Sequence, residues 1–115
     1  MDIQRIDPKQ WNCSAAVHGN LIFLSGFVAD DKSLPMKGQT EQVLRKIDQV
    51  LASAGSNKSR ILSATVYMAD ATLKEEMNEA WMAWVDRSNL PARTAVGAAL
   101  TPKTLVEITV CAARS

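Results

Sequence analysis

The fold is decided by two short stretches near the C-terminus, LPARTAV at residues 90–96 and LVEITV at residues 105–110. Each combines β-prone apolar residues with one charge, Arg93 in the first and Glu107 in the second. In the second stretch apolar and polar residues alternate, so a strand there places Glu107 on the face opposite its apolar side chains. Pro102 marks a turn between the stretches. The pattern therefore predicts that the two strands are neighbours, with Arg93 and Glu107 within reach of one small ligand.

The composition is that of an ordinary globular protein. Of the 115 residues, 47% are hydrophobic and 22% are charged, which argues against disorder and predicts a single domain over residues 1–115. Thirteen basic and twelve acidic residues leave a net charge of +1, and the scattered basic residues argue against nucleic-acid binding. The sequence has neither a signal-peptide pattern nor an apolar run long enough to span a membrane, so we expect a cytoplasmic location without membrane contact.

Metal and disulfide chemistry are not expected. The only cysteines are Cys13 and Cys111, and both lie in strand-like contexts rather than in a disulfide framework. With His18 as the sole histidine, one chain cannot assemble a four-ligand cysteine–histidine site. We expect both cysteines to pack as small hydrophobic side chains.

The first half of the chain predicts a hairpin and then a helix. Residues 14–26 read as two strands around a turn at Gly19, a residue that suits positive φ. Residues 30–37 are polar and contain Pro35, so we expect an exposed loop. From residue 40 to residue 54 the apolar residues follow one helical face, and Gly55 supplies the stop.

The second half predicts a strand and a second helix before the two C-terminal stretches. Residues 60–68 are rich in β-branched and aromatic side chains, which favours a strand. Thr72 and Glu75 have the spacing of a capping box that opens the second helix. Pro91 confines this helix to Asn89 or earlier.

Together these elements predict an α+β fold with the order β-β-α-β-α-β-β, preceded by a possible short strand at residues 3–7. Two amphipathic helices cover one face of a sheet, which gives a two-layer domain. Residues 21–24 are apolar on both sides of their strand. In residues 61–68 the set of Ile61, Ser63, Thr65 and Tyr67 alternates with an apolar set, so the second sheet face is also poorly suited to water. We expect that face to be buried against further copies of the chain.

The order of elements and four short motifs resemble the YjgF/RidA family of reactive-intermediate (enamine/imine) deaminases. The motifs are Leu24-Ser25-Gly26, Met77-Asn78-Glu79, Pro91-Ala92-Arg93-Thr94 and Val106-Glu107-Ile108, and the resemblance extends from about residue 14 to residue 113. It implies a chorismate-mutase-like subunit whose mixed sheet carries two helices on one face. It also implies a homotrimer in which the sheets form a central barrel, three ligand clefts between subunits, and no cofactor.

The resemblance also implies roles for individual residues. Arg93 matches the arginine that binds the substrate carboxylate, and Glu107 matches the acid that positions the attacking water. Ser25 and Gly26 match the Ser-Gly at the cleft, and Asn78 matches an asparagine contributed by a helix of the adjoining subunit.

The chain departs from the family pattern at several positions near the implied cleft. Asn12 and Ala95 stand where many members carry tyrosine and cysteine, and Phe27 stands where glutamine is frequent. The segment between Arg93 and Glu107 is one residue shorter than usual. These substitutions change the polarity of the substrate-binding positions and leave the Arg93–Glu107 pair in place.

The function implied is hydrolysis of small 2-imino or enamine acids, such as 2-aminoacrylate, to 2-keto acids and ammonia. Arginine can bind a carboxylate with two parallel hydrogen bonds, and a nearby carboxylate can orient water and accept its proton. One alternative is a non-catalytic module that binds small carboxylates or keto acids in the same cleft, and ribonuclease activity is a weaker one. Structural alternatives for the residues are an Arg93–Glu107 ion pair bracing the sheet, a turn role for Ser25 and a loop contact for Asn78.

Overall fold

The computed structural model describes residues 2–114, which form one seven-stranded sheet and two α-helices. The strands are β1 (Ile3–Pro8), β2 (Cys13–His18), β3 (Leu21–Leu24), β4 (Phe27–Val28), β5 (Ile61–Met68), β6 (Ala92–Gly97) and β7 (Val106–Ala113). The helices are α1 (Met36–Ser53) and α2 (Lys74–Trp84), and 3-10 turns occupy Lys58–Arg60 and Ala71–Leu73. None of the described helices is long and apolar enough to cross a membrane.

The strand order is β1-β2-β3-β7-β5-β6, with the short β4 also paired to β7. Strands β5 and β6 are parallel and every other pairing is antiparallel, so the sheet is mixed as predicted. The prediction that the two C-terminal strands are neighbours is wrong, because β5 lies between them. A helical crossover through α2 returns the chain parallel to β5 on one side, which leaves the other side of β5 for β7.

The hydrophobic core lies between the sheet and the helices. Alternate residues of β7 are buried while the intervening ones, including Glu107, are half-buried, which confirms the predicted alternation. The same core contains the apolar stripes of α1 and α2. Its fully buried members include Val17, Ile22, Val43, Ile47, Leu51, Val66, Met77 and Ile108. This face of the sheet is called the helix face below.

The opposite face of the sheet is called the open face. Cross-strand register places Phe23 beside Cys111, and Thr65 beside Thr109, on this side. Several large apolar side chains remain accessible on it: Leu21 is 42% exposed, Phe23 50% and Val96 39%. The helices therefore bury one sheet face only.

Most of the predicted elements are present, and some boundaries differ. The hairpin forms at β2–β3, and Gly19 has the expected positive φ of 61°. The short first strand is also present as β1. Helix α1 begins at Met36, four residues before the predicted Thr40, because Pro35 stands immediately before the first turn and its fixed φ of −68° suits that position.

Two local predictions are wrong. Thr72 does not cap α2: it lies in the 3-10 turn, where its backbone N–H donates to Asp70 Oδ1 at 2.9 Å. Asp70 therefore caps the 3-10 turn that precedes α2, two residues before the expected capping residue. Ile61 does not share the face of Ser63, because an irregularity in register between them places Ile61 in the core, where it is 5% exposed.

Candidate functional site

The first candidate site is a cleft of about 450 Å³ on the open face. It is lined by Gly26, Tyr67, Ala98, Ala99, Leu100, Glu107 and Thr109, and it is called the Glu107 cleft. Glu107 projects from β7 because its neighbours Val106 and Ile108 take the helix face. Tyr67 lies directly opposite Glu107 in the β5–β7 ladder and projects to the same side.

Gly26 brings the backbone against the Glu107 carboxylate. A Cβ atom at residue 26 would overlap Glu107 Oε2 and lie 3.1 Å from its Cδ. Glycine is therefore required here for close approach and not for an unusual φ. The carboxylate is confined by this contact while one side of the cleft stays open.

The second candidate site, called the Arg93 cleft, lies between α2 and the edge strand β6. It measures about 350 Å³ and is lined by Asn78, Trp81, Met82, Leu90, Pro91 and Arg93. The Arg93 guanidinium lies over the Trp81 ring, with Cζ 5.2 Å from the ring centroid, which is cation–π geometry. Its Nη1 lies 3.8 Å from Met77 Sδ. Partial burial lowers the pKa of Arg93 from its usual value, and an arginine nonetheless stays charged in a protein.

Within one chain the two charged groups lie on opposite faces of the sheet. Arg93 is in register with Ala64, which is buried on the helix face. Glu107 is in register with Tyr67, which projects from the open face. The prediction that Arg93 and Glu107 of one chain reach the same ligand is therefore wrong, as is the alternative of an ion pair between them. None of the three ion pairs formed by residues 2–114 includes either side chain.

The other predicted site residues are divided between these clefts and the scaffold. Gly26 lines the Glu107 cleft, while the Ser25 hydroxyl donates to the Cys13 carbonyl at 2.5 Å and so fastens the chain to β2. Asn12 is exposed in the β1–β2 turn, where its carbonyl accepts from the Lys9 N–H at 2.7 Å. Ala95 packs against the core. Ser25, Asn12 and Ala95 do not line either cleft.

Asn78 lines the Arg93 cleft of its own chain. The resemblance assigned it to an adjoining subunit, and the geometry groups it with Arg93 and separates it from Glu107. It is half-buried on α2, next to the fully buried Met77.

Two cleft residues were not predicted as site residues. Trp81 packs in the core with 5% of its surface exposed, and the Arg93 guanidinium also lies over its ring. Tyr67 was assigned only to a strand. Its position opposite Glu107 depends on the β5–β7 pairing, and the alternation within each strand does not specify which strands pair.

The charged groups of the clefts are suited to binding and acid–base chemistry. Across residues 2–114, no group of three or more His, Cys, Asp or Glu side chains is arranged to hold a metal ion. The Arg93 cleft offers a fixed cation among apolar walls, and the Glu107 cleft offers a confined carboxylate beside a hydroxyl-bearing side chain. One can bind an anion and the other can bind or deprotonate water.

Comparison with known proteins gives a consistent set of relatives. Residues 3–114 match the family described as Endoribonuclease L-PSP. A RutC family protein from Haemophilus ducreyi is 42% identical over 112 residues, covering 96% of both chains. The RutC family protein YoaB from Escherichia coli is 40% identical over 114 residues, covering 98% of this chain and 99% of the relative.

Solved structures give the same similarity at the level of the fold. The crystal structure of a YjgF-family protein from Neisseria meningitidis superposes with a TM-score of 0.97 at 38% identity, covering all of this chain and 97% of the other. A protein of Pseudomonas aeruginosa superposes with a TM-score of 0.96 at 34% identity, covering 99% of this chain and 100% of the other.

Proposed function

The chain belongs to the Endoribonuclease L-PSP family, with RutC and YjgF proteins among its relatives, and we propose that it hydrolyses small 2-imino and enamine acids to 2-keto acids and ammonia. 2-Aminoacrylate is a representative substrate. Arg93 binds the substrate carboxylate and Glu107 positions the attacking water. The observation that carries the proposal is that a half-buried guanidinium and a half-buried carboxylate each line a cleft, and neither forms an ion pair with any other side chain of residues 2–114.

The proposed site is formed by two subunits. Because Arg93 and Glu107 of one chain lie on opposite sheet faces, one small ligand can contact both only if they come from different copies. We propose a homotrimer whose sheets form a central barrel, with three clefts between subunits. The accessible Leu21, Phe23 and Val96 on the open face support this assembly, since apolar side chains grouped on an unpartnered sheet face are typical of an interface. A head-to-tail contact repeated with a threefold rotation closes into a ring of three subunits.

The chemistry follows from the two groups. The Arg93 fork holds the carboxylate of the imino acid by two parallel hydrogen bonds, which fixes the neighbouring C=N carbon in one orientation. Glu107 accepts a proton from water as the water oxygen bonds to that carbon and the π electrons move to nitrogen. The protonated Glu107 then returns the proton to nitrogen, which gives a carbinolamine. Glu107 next accepts the carbinolamine hydroxyl proton and passes it to the amino nitrogen while the C=O bond forms and the C–N bond breaks, so that ammonia and a 2-keto acid are released. An enamine such as 2-aminoacrylate enters this sequence after tautomerising to the imine.

The proposed reaction requires only a modest rate acceleration from the site. Imines hydrolyse in water unaided, and one well-placed general base supplies about 10²- to 10⁴-fold acceleration. The proposed reaction therefore requires no covalent nucleophile. The stacking of Arg93 on Trp81 supports it further, because a guanidinium held in one plane loses less freedom on binding a planar carboxylate.

The test uses 2-aminoacrylate generated from serine by a dehydratase, with its disappearance followed in the presence and absence of the protein. We expect acceleration by the parent and by Arg45→Ala, whose arginine is exposed on α1, and none by Arg93→Ala at equal folded concentration. A parent protein that gives no acceleration over buffer contradicts the proposal. Saturable, Arg93-dependent binding of a keto acid without turnover would favour the non-catalytic alternative.

Ribonuclease activity, which the family name indicates, is the less favoured alternative. The net charge is only +1, and the basic residues do not cluster in sequence, whereas backbone recognition of RNA depends on grouped cations. RNA cleavage that persists in Arg93→Ala through repeated purification would support this alternative over imine hydrolysis.

A further inference from the structure

The Glu107 cleft contains one hydroxyl, that of Tyr67, which makes no hydrogen bond with the rest of the described chain. Thr109 lines the cleft, but its hydroxyl donates to the Leu24 carbonyl at 2.7 Å. Of the side-chain hydrogen bonds among residues 2–114, none involves the hydroxyl of Tyr67. The remaining wall consists of Gly26 and the apolar side chains of residues 98–100. Glu107 and Tyr67 are therefore the cleft's two available polar groups.

The sheet fixes the relation between these two groups. Tyr67 and Glu107 are directly opposed Cα partners in the antiparallel β5–β7 ladder, so their Cβ atoms are about 5 Å apart and their side chains rise from the same face. Both side chains are half-buried. A small molecule that touches the Glu107 carboxylate thus also lies beside the phenol.

We propose that the Tyr67 hydroxyl binds the attacking water together with Glu107 and is a further catalytic residue of the site. This inference rests on the proposed imine hydrolysis. Water has two O–H groups: Glu107 accepts one proton during the attack, and the Tyr67 oxygen accepts a hydrogen bond from the other. This leaves a water lone pair directed at the C=N carbon. Tyr67 exchanges no proton in the step and continues to hydrogen-bond the hydroxyl of the tetrahedral adduct.

The first test is Tyr67→Phe, which removes the hydroxyl and keeps the ring. We expect kcat for 2-aminoacrylate to fall about tenfold, the effect of one lost hydrogen bond to the reacting group, with KM within about twofold of the parent. Thr65→Val is the matched control: it removes a hydroxyl two residues away on the same strand and face, outside the cleft lining, and should leave kcat unchanged. A kcat for Tyr67→Phe within about twofold of the parent overturns the proposal.

The second test does not depend on turnover. Tyr67 is the only tyrosine, so protein labelled with 3-fluorotyrosine gives a single ¹⁹F resonance from this position. We expect 2-oxobutyrate, a product-like keto acid, to shift this resonance saturably in the parent and not in Arg93→Ala. A resonance that 2-oxobutyrate leaves unmoved in the parent overturns the contact. A shift without turnover supports the contact of Tyr67 with the ligand while contradicting the proposed deamination.

Discussion

The Arg93 cleft and the Glu107 cleft hold opposite charges by different means. Arg93 lies on the helix face, stacked on Trp81 and in contact with Met77, so its cation is oriented by an aromatic ring and a sulfur atom. Glu107 lies on the open face, and its anion is confined by the bare backbone of Gly26. Among the described residues, neither Arg93 nor Glu107 is paired with a side chain of opposite charge.

Under the proposed function, each of the two clefts in one subunit is half of a site. A counterion beside either group would stabilise its charge and also compete with the ligand. Orientation by neutral neighbours leaves each charge available. The Arg93 cleft can therefore serve substrate binding and the Glu107 cleft can serve the chemical step, which assigns variants of the two clefts to different kinetic constants.

The largest effect is expected from Glu107→Gln, which keeps the size of the side chain and removes the base. We expect kcat to fall by about 10²- to 10⁴-fold, with KM changed little, because the carboxylate acts in the attack of water and not in holding the substrate. Steady-state kinetics with 2-aminoacrylate measures both constants. A variant with parental kcat would break the assignment of chemistry to this cleft.

A smaller effect, on KM rather than on kcat, is expected from Arg93→Lys. An ammonium keeps the charge and loses the two-point hydrogen bond and the stacking on Trp81. We expect KM to rise by about 10- to 100-fold, equivalent to the loss of one charge-assisted hydrogen bond. An unchanged KM accompanied by a reduced kcat would show that the two clefts do not divide binding from chemistry.

Gly26→Ala tests the close approach that confines Glu107. The added Cβ overlaps Glu107 Oε2, so the carboxylate must move, and we expect kcat to fall about tenfold through the loss of its alignment. Gly97→Ala is the matched control on β6, where a Cβ meets its nearest atom at 3.7 Å. Equal kinetics for the two variants would contradict a positioning role for Gly26.

The smallest kinetic effect is expected from Gln39→Leu. This variant should instead have a lower free energy of unfolding. Gln39 is fully buried in α1; its Nε2 donates to the carbonyls of Leu34 and Lys103 at 3.0 and 3.1 Å, and its Oε1 accepts from the Leu105 N–H at 3.0 Å. Removing these bonds leaves buried backbone groups unpaired, which lowers the free energy of unfolding by about 1–3 kcal/mol.

Urea unfolding of the Gln39→Leu variant measures this loss. The exposed Gln49→Leu on the same helix is the control, with an expected change within about 0.5 kcal/mol. Gln39 bonds the loop before β7 at residues 103 and 105, which are outside the cleft lining, so the folded variant should bind 2-oxobutyrate with parental affinity. A variant as stable as the parent would exclude Gln39 as the anchor of this loop.

Local patterns in the sequence predicted the elements and their faces. Alternation in β7 placed Glu107 on the face opposite the core, and Gly19 marked the hairpin turn. The helical periodicity of residues 40–54 predicted α1 and its buried face. Its first turn was missed because the polar residues around Pro35 have the composition of a loop. Short-range physics controls these features.

Long-range pairing controls the features that were mispredicted. The insertion of β5 between β6 and β7 depends on the crossover through α2, and no local pattern specifies it. The opposite charges of the two C-terminal stretches indicated Arg93 and Glu107 as candidate site residues, and the family resemblance gave them roles. Their separation onto opposite faces required the register with Ala64 and Tyr67. For the same reason Tyr67 could not be recognised beforehand as a neighbour of Glu107.

The central claim, that a working site takes Arg93 from one subunit and Glu107 from another, is tested most directly by mixing two inactive variants. Arg93→Ala and Glu107→Gln proteins are unfolded together, refolded as an equal mixture, and assayed for 2-aminoacrylate hydrolysis. In closed rings with random composition, about one quarter of the clefts combine an intact Arg93 with an intact Glu107, so we predict recovery of about one quarter of the parental activity. A mixture that stays as inactive as the separate variants, despite verified subunit exchange, would contradict the account.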